Sequence, residues 1–237
     1  MSIVLPNQLH ARRVKNSLTC FPHHSIIAVW EVVRRWYHKA AEILEGGMMA
    51  KEAKTVYFDA PGAVNTDETL ESAKARAEEL GIKTIVVATT VGDTGVKAAE
   101  KFKDYKVVVV THTTGFKAPD SQELTSENKE KIDKLGARVF TGSHAFGGIA
   151  HAARKSYGTY VLGDFMANTL RMFGQGMKVA IEISVMAADA GLVKTDEEVI
   201  AVAGSATGAD TAIVLKPAHA HDVFSLRVKE IICKPRL

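Results

Sequence analysis

Thr84-Ile85-Val86-Val87-Ala88-Thr89-Thr90-Val91-Gly92-Asp93-Thr94-Gly95 reads as an apolar strand, a hydroxyl-rich turn and the first turn of a helix. The run Thr84–Ala88 is short and β-branched, as suits a strand covered on both faces, and the helix expected after it runs from Thr94 to Phe102. A strand that passes through a tight turn into a helix is the unit of an α/β sheet. The start of such a helix has unpaired N–H groups and the positive end of the macrodipole, so it attracts an anion. Thr89, Thr90, Gly92, Asp93 and Thr94 therefore form a candidate phosphate cradle, with glycines that let a ligand approach the backbone. The competing reading is plain capping, in which Thr or Asp satisfies the helix start without any ligand.

The same grammar extends in both directions. Strands are expected at 54–58, 106–110, 138–141, 178–185, 199–203, 211–215 and 227–233. Helices are expected from Asn65 or Thr66 to Leu80, with Gly81 just beyond, and over 126–135, 144–153 and 164–173. The alternation predicts a three-layer α/β/α domain on a mostly parallel sheet. The strand-rich end of the chain makes that sheet mixed, with at least one antiparallel strand.

Of the 237 residues, 46% are apolar and 24% charged, which favours a sizeable core over disorder. Residues 1–49 differ from the rest: they hold both tryptophans, four of the nine histidines, and six basic residues against three acidic ones. The formal net charge of +3 therefore belongs to this extension, and residues 50–237 form the α/β domain with no broad basic surface for nucleic acid. Ile26, Val29, Trp30, Val33, Tyr37, Ala40 and Leu44 recur at helical spacing, the pattern of an amphipathic arm. Alternatively, Glu45-Gly46-Gly47 before Met48-Met49 is encoded by purine-rich codons like those of a bacterial or archaeal ribosome-binding site. Translation would then start at Met48 or Met49, the reading preferred here. No apolar run is long enough to span a membrane. Cys20 and Cys233 have no paired spacing, which fits a reducing, cytoplasmic setting.

Several further segments carry a resemblance. They are Val56-Tyr57-Phe58, Pro61-Gly62, Asn65-Thr66, Gly92-Asp93-Thr94, Thr111-His112 with Thr114-Gly115-Phe116, Glu182-Ile183 and Met186-Ala187-Ala188-Asp189. Gly204-Ser205-Ala206-Thr207-Gly208-Ala209-Asp210-Thr211-Ala212 and Glu230-Ile231-Ile232-Cys233-Lys234-Pro235-Arg236 complete the set. Together they resemble a small archaeal family of stand-alone relatives of the pyruvate kinase C-terminal domain, over residues 54–236. The resemblance implies the three-layer fold with a mixed sheet, and flavin mononucleotide (FMN) as an associated cofactor. In pyruvate kinases the equivalent domain takes sugar-phosphate effectors through a loop matching Thr89–Thr94. The residues of the catalytic barrel are not in this sequence, so pyruvate kinase activity is not expected of it.

Ligands of α/β sheets settle beyond the carboxyl ends of the strands. Four segments leave such ends: Thr89–Thr94, Thr111–Phe116, Gly142–His144 and Gly204–Asp210. The candidate binding residues beyond the first loop are thus Thr111, His112, Gly115, Phe116, Ser143, His144, Glu182, Gly204, Thr207, Gly208 and Asp210. Asp210 either accepts from a ribityl hydroxyl or caps its own turn. Phe116 either stacks on a flat ring or anchors its loop. Glu182, expected in a strand with Ala180, Ser184 and Met186 on one face, either pairs with a cation such as Arg154 or lines the site. His112, His144 and Glu182 are the candidates for proton transfer, though no reaction is assigned.

The chain lacks the P-loop, a GxGxxG helix opening after a strand, HExxH and GxSxG, and has no clustered metal ligands. Gly174-Gln175-Gly176 precedes an expected strand, the wrong setting for a dinucleotide. Three readings follow: an FMN-binding protein of unassigned activity, redox among the options; a non-catalytic sensor of a phosphorylated metabolite; and a phosphatase or transferase using His112 or His144. In each the partner is a phosphorylated small molecule, with no nucleic acid and no membrane, and self-association as a homo-oligomer stays open.

Overall fold

The structure is a computed structural model that describes Arg34 and residues 52–236. The chain divides into two units, 1–53 and 54–237. The amphipathic arm and the late start at Met48 or Met49 both lie outside the described residues.

The second unit is built on one seven-stranded sheet. Its strands are β1 (Val56–Phe58), β2 (Thr84–Ala88), β3 (Lys106–Thr111), β4 (Arg138–Thr141), β5 (Val199–Ala203), β6 (Thr211–Lys216) and β7 (Arg227–Pro235). Across the sheet they lie in the order β1-β7-β6-β5-β2-β3-β4. Only β6 runs against its neighbours β5 and β7; the pairs β1–β7, β5–β2, β2–β3 and β3–β4 are parallel. The expected mixed, mostly parallel sheet is the observed one. Side-chain alternation sends Ile85 and Val87 to one face and Val86 to the other, and all three are fully buried. Burial of both faces explains why the strand sequences are unbroken apolar runs.

Helices α1 (Thr66–Leu80), α2 (Asp93–Lys101) and α3 (Ser126–Lys134) cover the first face. Leu70, Ala73, Phe102 and Ile132 close its core against Ile85, Val109, Ile200 and Val214. α1 stops where Gly81 takes a left-handed φ of 68°, and Ile82 N–H donates back to Ala77 O at 2.9 Å. Helix α6 (Gln175–Asp189) lies on the second face, packed on Val86, Val108, Ala201 and Ile213. It is joined there by α5 (Leu162–Arg171), against which α4 (Gly148–Tyr157) packs.

One expected element is wrong. Residues 178–185 are not a strand but the middle of α6. Val179, Ile181, Ile183 and Val185 alternate with period two, yet the helix is buried almost all round, with residues 180–188 all buried. A helix enclosed on every side has no polar face, so its 3.6-residue period disappears and a chance alternation prevails. Length and composition were the surviving cues: fifteen residues ending in Met186-Ala187-Ala188, bounded by Gly174 and Gly191. Gly174-Gln175-Gly176 accordingly opens a helix, but one preceded by α5 rather than by a strand.

Candidate functional site

The loops leaving β2, β3, β4 and β5, together with α4, α5 and the first turns of α6, enclose a cavity of about 600 Å³. This falls in the size range of small-molecule sites, about 300–1,000 Å³. It lies at the carboxyl edge of the parallel strands, where the topology directs helix N-termini. The predicted residues Thr89, Thr90, Asp93, Thr94, Thr111, His112, Phe116, His144, Glu182, Gly204, Thr207 and Gly208 all line it. Gly92, Gly115, Ser143 and Asp210 do not.

At the end of β2, the N-cap position of α2 is Gly92, with φ 114° and no side-chain cap. Thr89 Oγ1 receives the amide of Gly95 at 3.4 Å. Among the described residues the amides of Asp93 and Thr94 donate to nothing, and the hydroxyls of Thr90 and Thr94 make no hydrogen bond. Asp93 accepts from Asn128 Nδ2 at 2.8 Å instead of capping its helix. The helix start therefore faces the cavity unsatisfied. The glycines, however, serve packing. A Cβ on Gly92 would lie 2.4 Å from Asn128 Cβ, and one on Gly95 2.8 Å from Val109 Cγ1. Both bare backbones admit α3 and the core, which corrects the expectation that they admit a ligand.

Beyond β5, Ala206 and Gly208 take left-handed φ values of 68° and 72° with Thr207 between them. Thr207 donates its amide to Ser205 O at 3.0 Å, which leaves the amides of Ala206 and Gly208 without a partner among the described residues. Gly208 is obligatory because a Cβ there would sit 2.4 Å from Ala63 Cα. Asp210 holds the loop from behind. Fully buried, its Oδ2 accepts from the amides of Gly62 (2.8 Å) and Ser205 (3.0 Å), and its Oδ1 from Thr211 Oγ1 (2.8 Å). Of its two open readings, the turn cap is what the structure shows.

The opposite end of the cavity is aromatic. Phe116 lies 4.4 Å from the His112 ring, 5.2 Å from His144 and 6.4 Å from His151, centroid to centroid. His112 Nδ1 meets Glu123 Oε2 at 2.8 Å. His144 Nε2 accepts from the Thr113 amide at 3.4 Å. Burial holds the His144 pKa below its ordinary value, opposed by the Glu182 carboxylate and reinforced by His112 and Lys178. The ring is thus neutral at pH 7. Thr111 spends its hydroxyl on His112 O (2.9 Å) and on Thr141 Oγ1 (2.7 Å), so it braces the β3–β4 edge. Ser143 packs its hydroxyl over Gly148 at the start of α4.

Glu182 is buried, as a polar residue inside an apolar run must be if it is to find partners. Its Oε1 accepts from Phe146 N at 2.9 Å, and its Oε2 pairs with Lys178 Nζ one helical turn earlier. The expected pairing with a cation is present, but the cation is Lys178; Arg154 pairs with Asp164 instead. Sequence reading missed Lys178, Gln175, His151, Arg154 and Arg171 as cavity residues. A strand over 178–185 leaves Gln175 and Lys178 no helix to carry them to the mouth, whereas His151, Arg154 and Arg171 stand on α4 and α5. The Gly-Gln-Gly opening of α6 was the available signal.

An α/β domain with a small-molecule-sized, amide-lined cavity at its carboxyl edge is the class that fold and site define. Residues 67–215 match the pyruvate kinase α/β domain, and the chain belongs to that family. It is also similar to selenide, water dikinase 2 of Peptoclostridium acidaminophilum, with 24% identity over 175 residues. That alignment covers 70% of this chain and 47% of the relative, so the chain spans about half the length of the curated relative it matches. Crystal structures of O-ureido-L-serine synthase and of its O-ureido-L-serine-bound mutant align at 23% and 26% identity. Each alignment has a TM-score of 0.27 and covers 42% of this chain and 31% of the other, a likeness on which nothing rests. No helix among the described residues is long and apolar enough to cross a membrane.

Proposed function

We propose that the cavity binds a phosphorylated small molecule, and that FMN is the ligand its surfaces suit best. The observation that carries this is the division of the cavity into two chemically different ends. The amides of Asp93, Thr94, Ala206 and Gly208, which have no partner among the described residues, lie with the Thr90, Thr94 and Thr207 hydroxyls over β2 and β5, while Phe116, His112 and His144 gather over β3 and β4. Strands lie about 4.8 Å apart, so β5 and β3, two places apart, set the ends about 10 Å from each other. A phosphate, a polyol linker and a flat ring match that sequence of surfaces.

Thr90, Thr94 and Thr207 with the amides of Asp93, Thr94, Ala206 and Gly208 would hold the phosphate, and Phe116 would lie against the ring. Bound FMN would supply hydride or single-electron chemistry. The chain's own part is to hold the cofactor, keep His144 neutral beside it and exclude water with the aromatic cluster. In this reading the protein is a cytoplasmic member of the archaeal stand-alone branch of the family. A second reading, a non-catalytic phospho-metabolite sensor, is favoured by one observation. Lys178 is matched with Glu182 and Arg154 with Asp164, while His112 and His144 make their hydrogen bonds to Glu123 and to the Thr113 amide, so no nucleophile–base pair is assembled among the described residues.

Mass spectrometry and absorbance of the small molecule released on denaturation test the proposal directly. Thr94→Val is expected to weaken FMN binding and leave riboflavin binding unchanged; equal losses would refute the phosphate assignment.

A further inference from the structure

The pair Lys178–Glu182 is not symmetrical. Both residues are buried, at 7% and 4% exposure, and both line the cavity. Glu182 is complete: one oxygen takes the Phe146 amide and the other takes Lys178. Lys178 is not. An ammonium has three N–H donors, and among the described residues Nζ has one acceptor, Glu182 Oε2. Lys178 lines the cavity, and its other two donors have no protein acceptor among the described residues.

Its neighbours extend the same surface. Lys178 lies in the first turns of α6, where the amides of Gln175, Gly176 and Met177 donate to nothing among the described residues. The turn is seated on the loop already described, since a Cβ on Gly176 would fall 2.2 Å from Thr211 Oγ1 and 2.8 Å from Asp210 Oδ1. At the rim above it, Arg171 donates through Nε to Gln175 Oε1 (2.9 Å) and through Nη1 to Asn168 Oδ1 (2.7 Å). Two neutral amide oxygens orient that guanidinium without cancelling its charge. One wall of the cavity thus presents a buried ammonium, a helix start and a rim guanidinium.

We propose that Lys178 is the binding cation of the cavity, donating directly to an anionic oxygen of the ligand, a phosphate or a carboxylate, while Glu182 holds it in place. The inference rests on the reading that the cavity takes an anionic ligand, but not on that ligand being a flavin.

The test uses the full chain and three probes: inorganic phosphate, FMN and riboflavin, titrated calorimetrically into wild type, Glu182→Gln and the double variant Lys178→Met/Glu182→Gln. Glutamine in place of Glu182 retains an acceptor for Phe146 N, and methionine in place of Lys178 fills the lysine's space without charge, so the double variant keeps the packing. Stability and binding should then rank in opposite ways. Glu182→Gln, the less stable variant, keeps the cation and binds phosphate more tightly than the double variant does. The double variant, close to wild type in denaturant midpoint, loses about tenfold or more in affinity for phosphate and FMN and little for riboflavin, the loss of one charge-assisted hydrogen bond.

Wild-type affinity for phosphate in the folded double variant overturns the proposal, as does an equal loss for riboflavin. If FMN still binds the double variant with wild-type affinity, the role of Lys178 fails and the flavin reading stands. If phosphate binding depends on Lys178 while no flavin binds, the flavin reading fails and Lys178 stands. A wild-type protein that binds neither phosphate nor FMN overturns both.

Discussion

Breaking the Lys178–Glu182 pair from one side should cost far more than removing it from both. The two side chains are 9% and 5% exposed, and each is the other's counter-charge in the interior. Taking away one partner of a buried pair typically costs about 3–5 kcal/mol, because the remaining charge is left desolvated. Lys178 lines the cavity, so the lower figure applies and Glu182→Gln should cost about 3 kcal/mol. Lys178→Met should cost a similar amount: Glu182 keeps the Phe146 amide at 2.9 Å but loses the partner of Oε2. The double variant strands neither charge and preserves the bond to Phe146, for a net cost of about 1 kcal/mol. Urea denaturation at pH 7, with unchanged m values, measures all four corners of the cycle. The expected coupling is several kcal/mol, against about 0.5 kcal/mol for independent sites. Additive single costs would show that the two groups do not neutralise each other in solution and would remove the electrostatic account of the cavity floor.

Three further outcomes follow from the same geometry. Gly92→Ala should destabilise the domain by about 2 kcal/mol or more, because φ is 114° and the new Cβ meets Asn128 at 2.4 Å; denaturant melts compared with Thr94→Val, expected near wild type, separate packing from binding. His144 has a folded pKa below its ordinary 6.5, so the unfolded chain binds the extra proton first. Stability should therefore be lost as the pH falls from about 6.5 toward the folded pKa, and His144→Gln should flatten that limb of the denaturation profile. Burial pushes the Cys233 thiol up to about 11, so peptide mapping should find it unalkylated by iodoacetamide at pH 8 until the domain unfolds.

The sheet was legible because its strands carry their own punctuation. Val107–Val110 and Val199–Ala203 are apolar on both faces, and a buried parallel strand must be so. Gly81 could be read as a helix stop because only a left-handed residue closes that turn. Helix α6 could not be read in the same way: enclosed between the sheet and α5, it has no solvent side to interrupt its apolar run. That one error hid half of the site. The loops after β2, β3 and β5 follow from strand order alone, whereas Lys178 and Gln175 reach the cavity only because α6 begins above Thr211. The glycines of the 89–95 loop show a different limit. A missing side chain beside a ligand and one beside Asn128 or Val109 look identical in a sequence, and only the direction of the absent Cβ tells them apart.

That direction also bears on how the cavity selects. Gly92 and Gly95 draw α2 tight against α3 and β3, which fixes the unsatisfied amides of Asp93 and Thr94 at the cavity wall rather than leaving them on a loose loop. Asp210 does the same for the 204–208 loop by gripping Ser205 and Gly62 at once. Both donor sets are thus held in place before any ligand arrives, and an anion that meets them has little ordering left to impose. The aromatic end is built differently, since Phe116 is 45% exposed and stands on a loop tied chiefly by its own turn bonds, Phe116 N to Thr113 O and Gly115 N to Ser121 O. On the proposed reading, the rigid donor end and the more adjustable aromatic end should discriminate strongly on charge and weakly on the identity of the ring, so ligands sharing a phosphate should compete across different ring systems, whereas ligands sharing only the ring should not.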